Sequence, residues 1–130
     1  MNNPFSIKGG AIPTLPISQQ EVAMQTLPTE VISRIEHLIK NNSTMLFMKG
    51  NDVAPQCGFS ANCVAILKQL GVAYKTYDIL KDPELRQSIK EYSNWPTFPQ
   101  LYANGELIGG NDIVMELFQR GELVEALKQQ

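Results

Sequence analysis

The chain has 130 residues, of which 43% are hydrophobic and 18% are charged, so it is long enough for one compact core and too short for two ordinary domains. Its formal net charge of -2 is not accompanied by a basic stripe, which argues against nucleic-acid binding. No apolar run approaches the roughly 18 residues of a membrane span. The first residues also lack the cationic and apolar regions of a signal peptide. We therefore expect a protein that binds neither nucleic acid nor membranes.

The two cysteines, Cys57 and Cys63, lie six residues apart on one predicted helix and do not form a disulfide framework. Such usage is typical of a reducing compartment. Up to Gln20 the only cation is Lys8, which does not favour a mitochondrial transit peptide. The expected location is the cytosol, ahead of the mitochondrial matrix.

Residues 1–28 are predicted to form a flexible N-terminal extension. Prolines and glycines interrupt this stretch, and it cannot bury enough apolar surface to offset the entropy lost on ordering. The capping pair Ser18 and Glu21 indicates at most a short helix, which Pro28 would end. The folded domain is expected to span residues 29–130.

From Thr29 onward, hydrophobic periodicity predicts alternating helices and strands. The first four predicted elements are a helix at 29–40, a strand at 44–48, a helix at 58–70 and a strand at 73–78. A helix from Asp82 follows, and its inner face carries Leu85, Ile89 and Tyr92. The last elements are a hairpin of strands 100–103 and 106–108 and a helix from Asp112 that breaks at Gly121 and then resumes. The uninterrupted apolar run at 44–48 suits a central strand that is covered on both faces. The order of elements favours an α/β sandwich whose sheet mixes parallel and antiparallel strands.

The chemistry of the chain is organised around Cys57, which stands where a loop ends and a helix begins. Free N–H groups and the helix dipole favour a thiolate at such a position. Ser60 occupies the place where a C-x-x-C redox pair has its second sulfur, so no internal disulfide can close there. Cys63 lies about 9 Å further along the helix axis. It is expected to be a small core residue, with a secondary redox role as the alternative.

Three motifs, in order along the chain, resemble the monothiol, CGFS-type glutaredoxins of the thioredoxin superfamily. They are Cys57-Gly58-Phe59-Ser60 after Lys49-Gly50, the segment Trp95-Pro96-Thr97-Phe98-Pro99-Gln100, and Gly109-Gly110-Asn111-Asp112. The resemblance covers roughly residues 30–125 and makes residues 29–130 a glutaredoxin domain. It implies a thioredoxin-like three-layer α/β/α sandwich with a four-stranded mixed sheet.

The resemblance also implies a glutathione site beside Cys57. It places Lys49 near the thiol and the glycyl carboxylate, and Arg86 at that carboxylate. Lys90, four residues after Arg86, is a further candidate cation. The resemblance places Asn111 and Asp112 at the γ-glutamyl end, where a helix N-terminus supplies N–H groups. Without the resemblance, the two cations four residues apart on one helix would be interpreted as a solvated face.

Phe98-Pro99 is implied to be a cis peptide that faces Cys57 and leaves the Phe98 backbone free to pair with bound glutathione. A trans proline in a tight turn is the alternative. Phe59, which follows the thiol, is counted among the glutathione-binding residues and is expected to be partly exposed unless a partner or cofactor covers it.

For function, the resemblance implies a carrier of iron–sulfur clusters. One thiolate per chain cannot complete the coordination of a cluster, which generally takes four thiolates. The implied arrangement is a [2Fe-2S] cluster held by Cys57 and glutathione, which bridges a homodimer or a heterodimer with a BolA-like protein. The cluster would then pass to iron–sulfur acceptor apoproteins.

The alternative is a glutathione-dependent thiol-disulfide oxidoreductase with Cys57 as the catalytic residue. In that reaction Cys57 takes glutathione from a mixed disulfide, and a second glutathione regenerates the thiol, so one cysteine is enough. The resemblance implies weak turnover, which ranks this activity below cluster transfer. A third interpretation, an interaction module without redox chemistry, would require Cys57 to be dispensable.

Overall fold

The computed structural model describes residues 29–128, in which five α-helices accompany four β-strands. The helices are α1 Thr29–Lys40, α2 Gly58–Leu70, α3 Pro83–Ser93, α4 Asn111–Gln119 and α5 Leu123–Lys128, and the strands are β1 Thr44–Met48, β2 Lys75–Asp78, β3 Gln100–Ala103 and β4 Glu106–Gly109. The predicted extension at residues 1–28 lies outside the described residues. Within residues 29–128, no helix is both long and apolar enough to cross a membrane.

The strands form one mixed sheet in the order β2-β1-β3-β4. β1 runs parallel to β2 and antiparallel to β3, while β3 and β4 form an antiparallel hairpin. All five residues of β1 are buried, as the apolar run predicted for a central strand. The whole sheet lies in the compact unit Ser33–Gln130.

The sheet is covered on both faces because side chains alternate along β1. Leu46 and Met48 belong to a buried cluster with α2, α4 and α5. Phe47 points to the opposite face, where its ring centroid lies 5.9 Å from that of Tyr77 and 5.5 Å from that of Tyr102. The buried side chains outside the first cluster include Ile35 and Ile39 of α1 and Leu85 and Ile89 of α3. The predicted four-stranded mixed sheet with helical layers is therefore confirmed.

The turn chemistry also follows the prediction at two places. Asn104 and Gly105 connect β3 to β4 with φ values of 52° and 89°, the left-handed region that favours these two residue types. Gly71 ends α2, and its N–H donates to the carbonyl of Lys68. These contacts explain why α2 and the hairpin end where the sequence indicates.

Three details differ from the prediction. β2 begins at Lys75 and not at Ala73, and a 3₁₀ turn at Ile79–Lys81, which has no periodic signal of its own, follows it. Tyr92 was expected on the inner face of α3, but it is 38% exposed. It lies in the last turn of the helix, where its hydroxyl interacts with Glu36.

Candidate functional site

Cys57 is the N-cap residue of α2, with extended backbone angles of φ -155° and ψ 139°. Its thiol is free and half-buried. The pKa of Cys57 is lowered chiefly by the backbone N–H of Ser60, against an opposing effect of burial, with further help from the N–H of Phe59 and the charge of Lys49. The thiolate is thus favoured by the first turn of the helix, as the sequence predicted.

Ser60 is fully buried, and its Oγ accepts a hydrogen bond from the Lys49 N–H at 3.1 Å. The same hydroxyl interacts with the Cys57 thiolate, which also lowers the pKa of that thiol. Ser60 therefore ties the segment after β1 to the first turn of α2. In the sequence this position is recognisable only by its missing sulfur, because the partners of a hydroxyl depend on the tertiary fold.

Cys63 is 0% exposed and lies in the buried cluster beside α4. Burial, together with the nearby Cys57 charge, raises the pKa of Cys63 to about 12. The expectation of a small core residue is confirmed. At neutral pH Cys63 is a thiol, and Cys57 is the chain's accessible nucleophile.

A groove runs past the Cys57 thiol and consists of two adjoining depressions. The first, of about 290 Å³, is lined by Lys49, Cys57, Phe59, Arg86, Lys90, Pro96, Thr97 and Phe98. The second, of about 380 Å³, is lined by Phe59, Trp95, Thr97, Phe98, Gly110, Asn111, Asp112 and Ile113. The structure thus brings together every predicted site residue except Pro99, which is buried next to Phe98.

The two ends of the groove differ in electrostatic character. Lys49, Arg86 and Lys90 make the first depression cationic, and the Arg86 Nε is buried without a hydrogen-bond partner among the described residues. The second depression ends at the N-terminus of α4, where no side chain caps the helix. Free N–H groups at a helix N-terminus attract anions. Each end is therefore suited to a carboxylate.

The side chain of Asn111 is turned into the protein. Its Oδ1 accepts a hydrogen bond from Asn62 Nδ2 at 2.9 Å and faces the Cys63 Sγ at 3.8 Å. Its Nδ2 lies 3.8 Å from the sulfur of Met115. These contacts occupy the Asn111 carboxamide, so the group that Asn111 can present to a ligand is its backbone N–H.

The central wall of the groove is the segment before β3, which contains the cis peptide Phe98-Pro99. This isomer agrees with the prediction. Thr97, which lines both depressions, and Gly110 had no role predicted from the sequence. A Cβ at Gly110 would lie 3.2 Å from the Trp95 indole nitrogen, so the glycine permits close packing. The paired glycines before α4 were the available signal for this contact.

Comparisons with known proteins identify the family. The glutaredoxin family model matches residues 44–108. A monothiol glutaredoxin of Synechocystis sp. is 57% identical over 99 residues, which are 76% of this chain and 92% of that protein. A probable monothiol glutaredoxin 2 of Rickettsia conorii is 57% identical over 94 residues, covering 72% and 88% of the two chains.

The solved structures agree with this result. Reduced apo GrxS14 of poplar superposes with a TM-score of 0.70 at 44% identity, over 78% of this chain and 94% of that one. The four-stranded mixed sheet of this chain is the thioredoxin-like arrangement expected from the sequence. With one accessible thiol at the head of α2, the chain belongs to the glutaredoxin family and, within it, to the monothiol glutaredoxins.

Proposed function

We propose that the protein carries a [2Fe-2S] cluster as cargo, with Cys57 as the protein ligand and glutathione as the source of the remaining thiolates. The observation that supports this proposal is one accessible, acidified thiol beside a groove whose two ends each suit a carboxylate. The proposed assembly is a homodimer bridged by the cluster, or a heterodimer with a BolA-like protein. Acceptor apoproteins would receive the cluster.

The ligands available in the chain fit this arrangement. A cluster of this kind takes four thiolates, and a buried Cys63 with a pKa of about 12 is a poor second ligand. Among residues 29–128, no group of three or more histidine, cysteine or acidic side chains could hold a metal ion. Two chains and two glutathiones would supply the four sulfurs.

Glutathione is a tripeptide with a carboxylate at each end, which matches the two ends of the groove. We assign its glycyl carboxylate to Lys49 and Arg86, and its γ-glutamyl end to the α4 N-terminus at Asn111 and Asp112. The Phe98 backbone, with Pro99 behind it and Phe59 opposite, would hold the central part of the tripeptide. The exposed fraction of Phe59, 61%, leaves an apolar surface that a partner chain would cover.

The second candidate function, deglutathionylation, is favoured by the lowered pKa of the same thiol. The Cys57 thiolate would attack the glutathione sulfur of a mixed disulfide and release the substrate as a thiolate. A second glutathione thiolate would then reduce the new disulfide, giving oxidised glutathione and free Cys57. This route uses the same groove and needs no second cysteine.

Cluster loading tests the proposal. The visible spectrum is recorded before and after anaerobic addition of iron, sulfide and glutathione to wild type, Cys57→Ser and Cys63→Ala. We expect wild type and Cys63→Ala to gain cluster absorption and to elute as dimers, and Cys57→Ser to do neither. No cluster absorption in wild type, together with rapid deglutathionylation, would overturn this ranking in favour of the oxidoreductase.

A cytosolic location is a further proposal, supported by two cysteines that are both free thiols. Fractionation of cells that express the full chain tests it, and recovery from an oxidising compartment would contradict it.

A further inference from the structure

We propose that Gln100 is a positioning residue for the groove, whose buried side chain sets the direction of the Phe98 N–H. This inference rests on the proposed glutathione site. Gln100 is the first residue of β3, where it pairs with Phe47 of the central strand. It is 0% exposed, so it acts on a ligand only through the residues that it holds.

The hydrogen bonds of the Gln100 side chain are complete. Its Nε2 donates to the Trp95 carbonyl at 2.9 Å and to the Thr97 carbonyl at 3.2 Å. Its Oε1 accepts from the Tyr102 hydroxyl at 3.1 Å. Because two carbonyl oxygens can only accept, the amide nitrogen must face them, which fixes the orientation of the carboxamide. Both N–H donors are therefore committed to the segment that forms the groove wall.

The bond to Thr97 has a consequence for the next residue. The Thr97 carbonyl and the Phe98 N–H belong to one planar trans peptide, in which they point in opposite directions. When Gln100 holds the carbonyl toward the interior, the Phe98 N–H is turned toward the groove. No hydrogen-bond partner for this N–H is found within residues 29–128. It is a donor that Gln100 orients for the peptide backbone of a ligand.

The chemistry of these contacts favours a glutamine over an acidic or an apolar residue. Glutamate would place a carboxylate against two carbonyl oxygens in a buried site, and an apolar residue would leave both carbonyls unpaired. The Trp95 carbonyl is held in the same way, and its indole lines the groove. Trp95 is the only tryptophan in the sequence, so its fluorescence reports on this segment.

The experiment compares wild type with Gln100→Met and with Gln87→Met. The control carries the same chemical change at an exposed glutamine of α3, whose side chain donates to Glu91. Two rates are measured: alkylation of Cys57 by iodoacetamide, which needs no groove, and reaction of Cys57 with a glutathione mixed disulfide, which does.

For Gln100→Met we expect the glutathione rate to fall about tenfold and the alkylation rate to change by less than about twofold. The Trp95 emission should shift to longer wavelength in Gln100→Met alone. Equal glutathione rates in wild type and Gln100→Met, or an equal fall in both reactions, would overturn the inference. If wild type does not use glutathione, the proposed function itself fails, and this inference fails with it.

A measurement on wild type covers the case in which Gln100→Met does not fold. By NMR, the Gln100 carboxamide protons should exchange slowly with solvent whether or not glutathione is present. The Phe98 amide proton should exchange fast in the free protein and at least about tenfold more slowly with saturating glutathione. Fast exchange of the Gln100 carboxamide, or a Phe98 amide that glutathione leaves unprotected, contradicts the proposal.

Discussion

Two buried serines allow a matched test of how the Cys57 site is held together. Ser60 is 0% exposed and Ser88 is 1% exposed. The Ser60 hydroxyl accepts the Lys49 N–H, whereas the Ser88 hydroxyl has no hydrogen-bond partner among the described residues. Substituting each by alanine removes the same atom from a buried site. We expect opposite results because the hydrogen bonding differs.

The expected magnitudes follow from the cost of a buried, unpaired polar group. Ser60→Ala leaves the Lys49 N–H without its acceptor, which costs about 1 to 3 kcal/mol of unfolding free energy. A loss of this size lowers Tm by at least about 4 °C in a domain of this length. Ser88→Ala removes an unpaired hydroxyl instead, so the unfolding free energy should be unchanged or rise by up to about 1 kcal/mol.

The effect on the Cys57 pKa is predicted to be small in both variants. The largest contribution that lowers this pKa is the backbone N–H of Ser60, which alanine retains, and the hydroxyl is a lesser one. In Ser60→Ala the pH profile of Cys57 alkylation should therefore move slightly to higher pH, because the thiolate loses one donor. In Ser88→Ala the profile should not move.

The assays are urea denaturation followed by circular dichroism, and iodoacetamide kinetics between about pH 4 and pH 9. The reasoning is refuted if Ser88→Ala is destabilised as much as Ser60→Ala. It is also refuted if the stability of Ser60→Ala equals that of wild type, since the Lys49 N–H would then have another partner.

Two further predictions concern other groups. In the native protein at pH 8, excess thiol reagent should modify Cys57 quickly and Cys63 only after denaturant is added. The reason is that Cys63 is buried and has a pKa of about 12. Two fast-reacting thiols would contradict this burial. Asp82→Ala should lower the free energy of unfolding by about 1 to 2 kcal/mol at pH 7. The Asp82 carboxylate caps α3 and accepts hydrogen bonds from the Tyr77 hydroxyl at 2.6 Å and from Arg34 at 3.0 Å. Burial raises the Asp82 pKa, but these donors outweigh it and lower the pKa below its usual value. The difference in unfolding free energy between wild type and Asp82→Ala should therefore shrink as pH falls below about 4, where the carboxylate becomes protonated. A difference that does not depend on pH would contradict this assignment.

The fold could be predicted where local patterns and long-range packing agree. The apolar run of β1 gave a central strand because a strand buried on both faces leaves no polar positions. The Asn104-Gly105 pair gave the hairpin because few other residues adopt its backbone angles. Boundaries were less certain: Ala73 has strand composition, but the pairing with β1 begins opposite Met45, at Lys75.

The site could be predicted only to the extent that motifs mark it. Most of the lining residues stand in or beside three recognisable motifs, so their numbers could be given before their positions in space were known, whereas Arg86 and Lys90 lie on α3 outside these motifs. The residues that hold the lining in place act through side-chain hydrogen bonds. Ser60 and Asn62 bond to segments distant in sequence, and Gln100 makes three bonds to residues close to it. Composition and spacing do not indicate such bonds, because the path of the folded backbone decides which side chain meets which polar group.

The source of the Cys57 acidity separates two kinds of salt dependence. Hydrogen bonds from the main-chain N–H groups of Ser60 and Phe59 act at contact distance, whereas Lys49 contributes mainly through its charge. Dissolved ions screen exposed charges over about 10 Å at 0.1 M salt and affect a contact hydrogen bond much less. The nucleophile should therefore keep its reactivity in concentrated salt, while the proposed capture of anionic glutathione by Lys49 and Arg86 should weaken. Ionic strength would change how often the site is filled and leave its sulfur chemistry nearly unchanged.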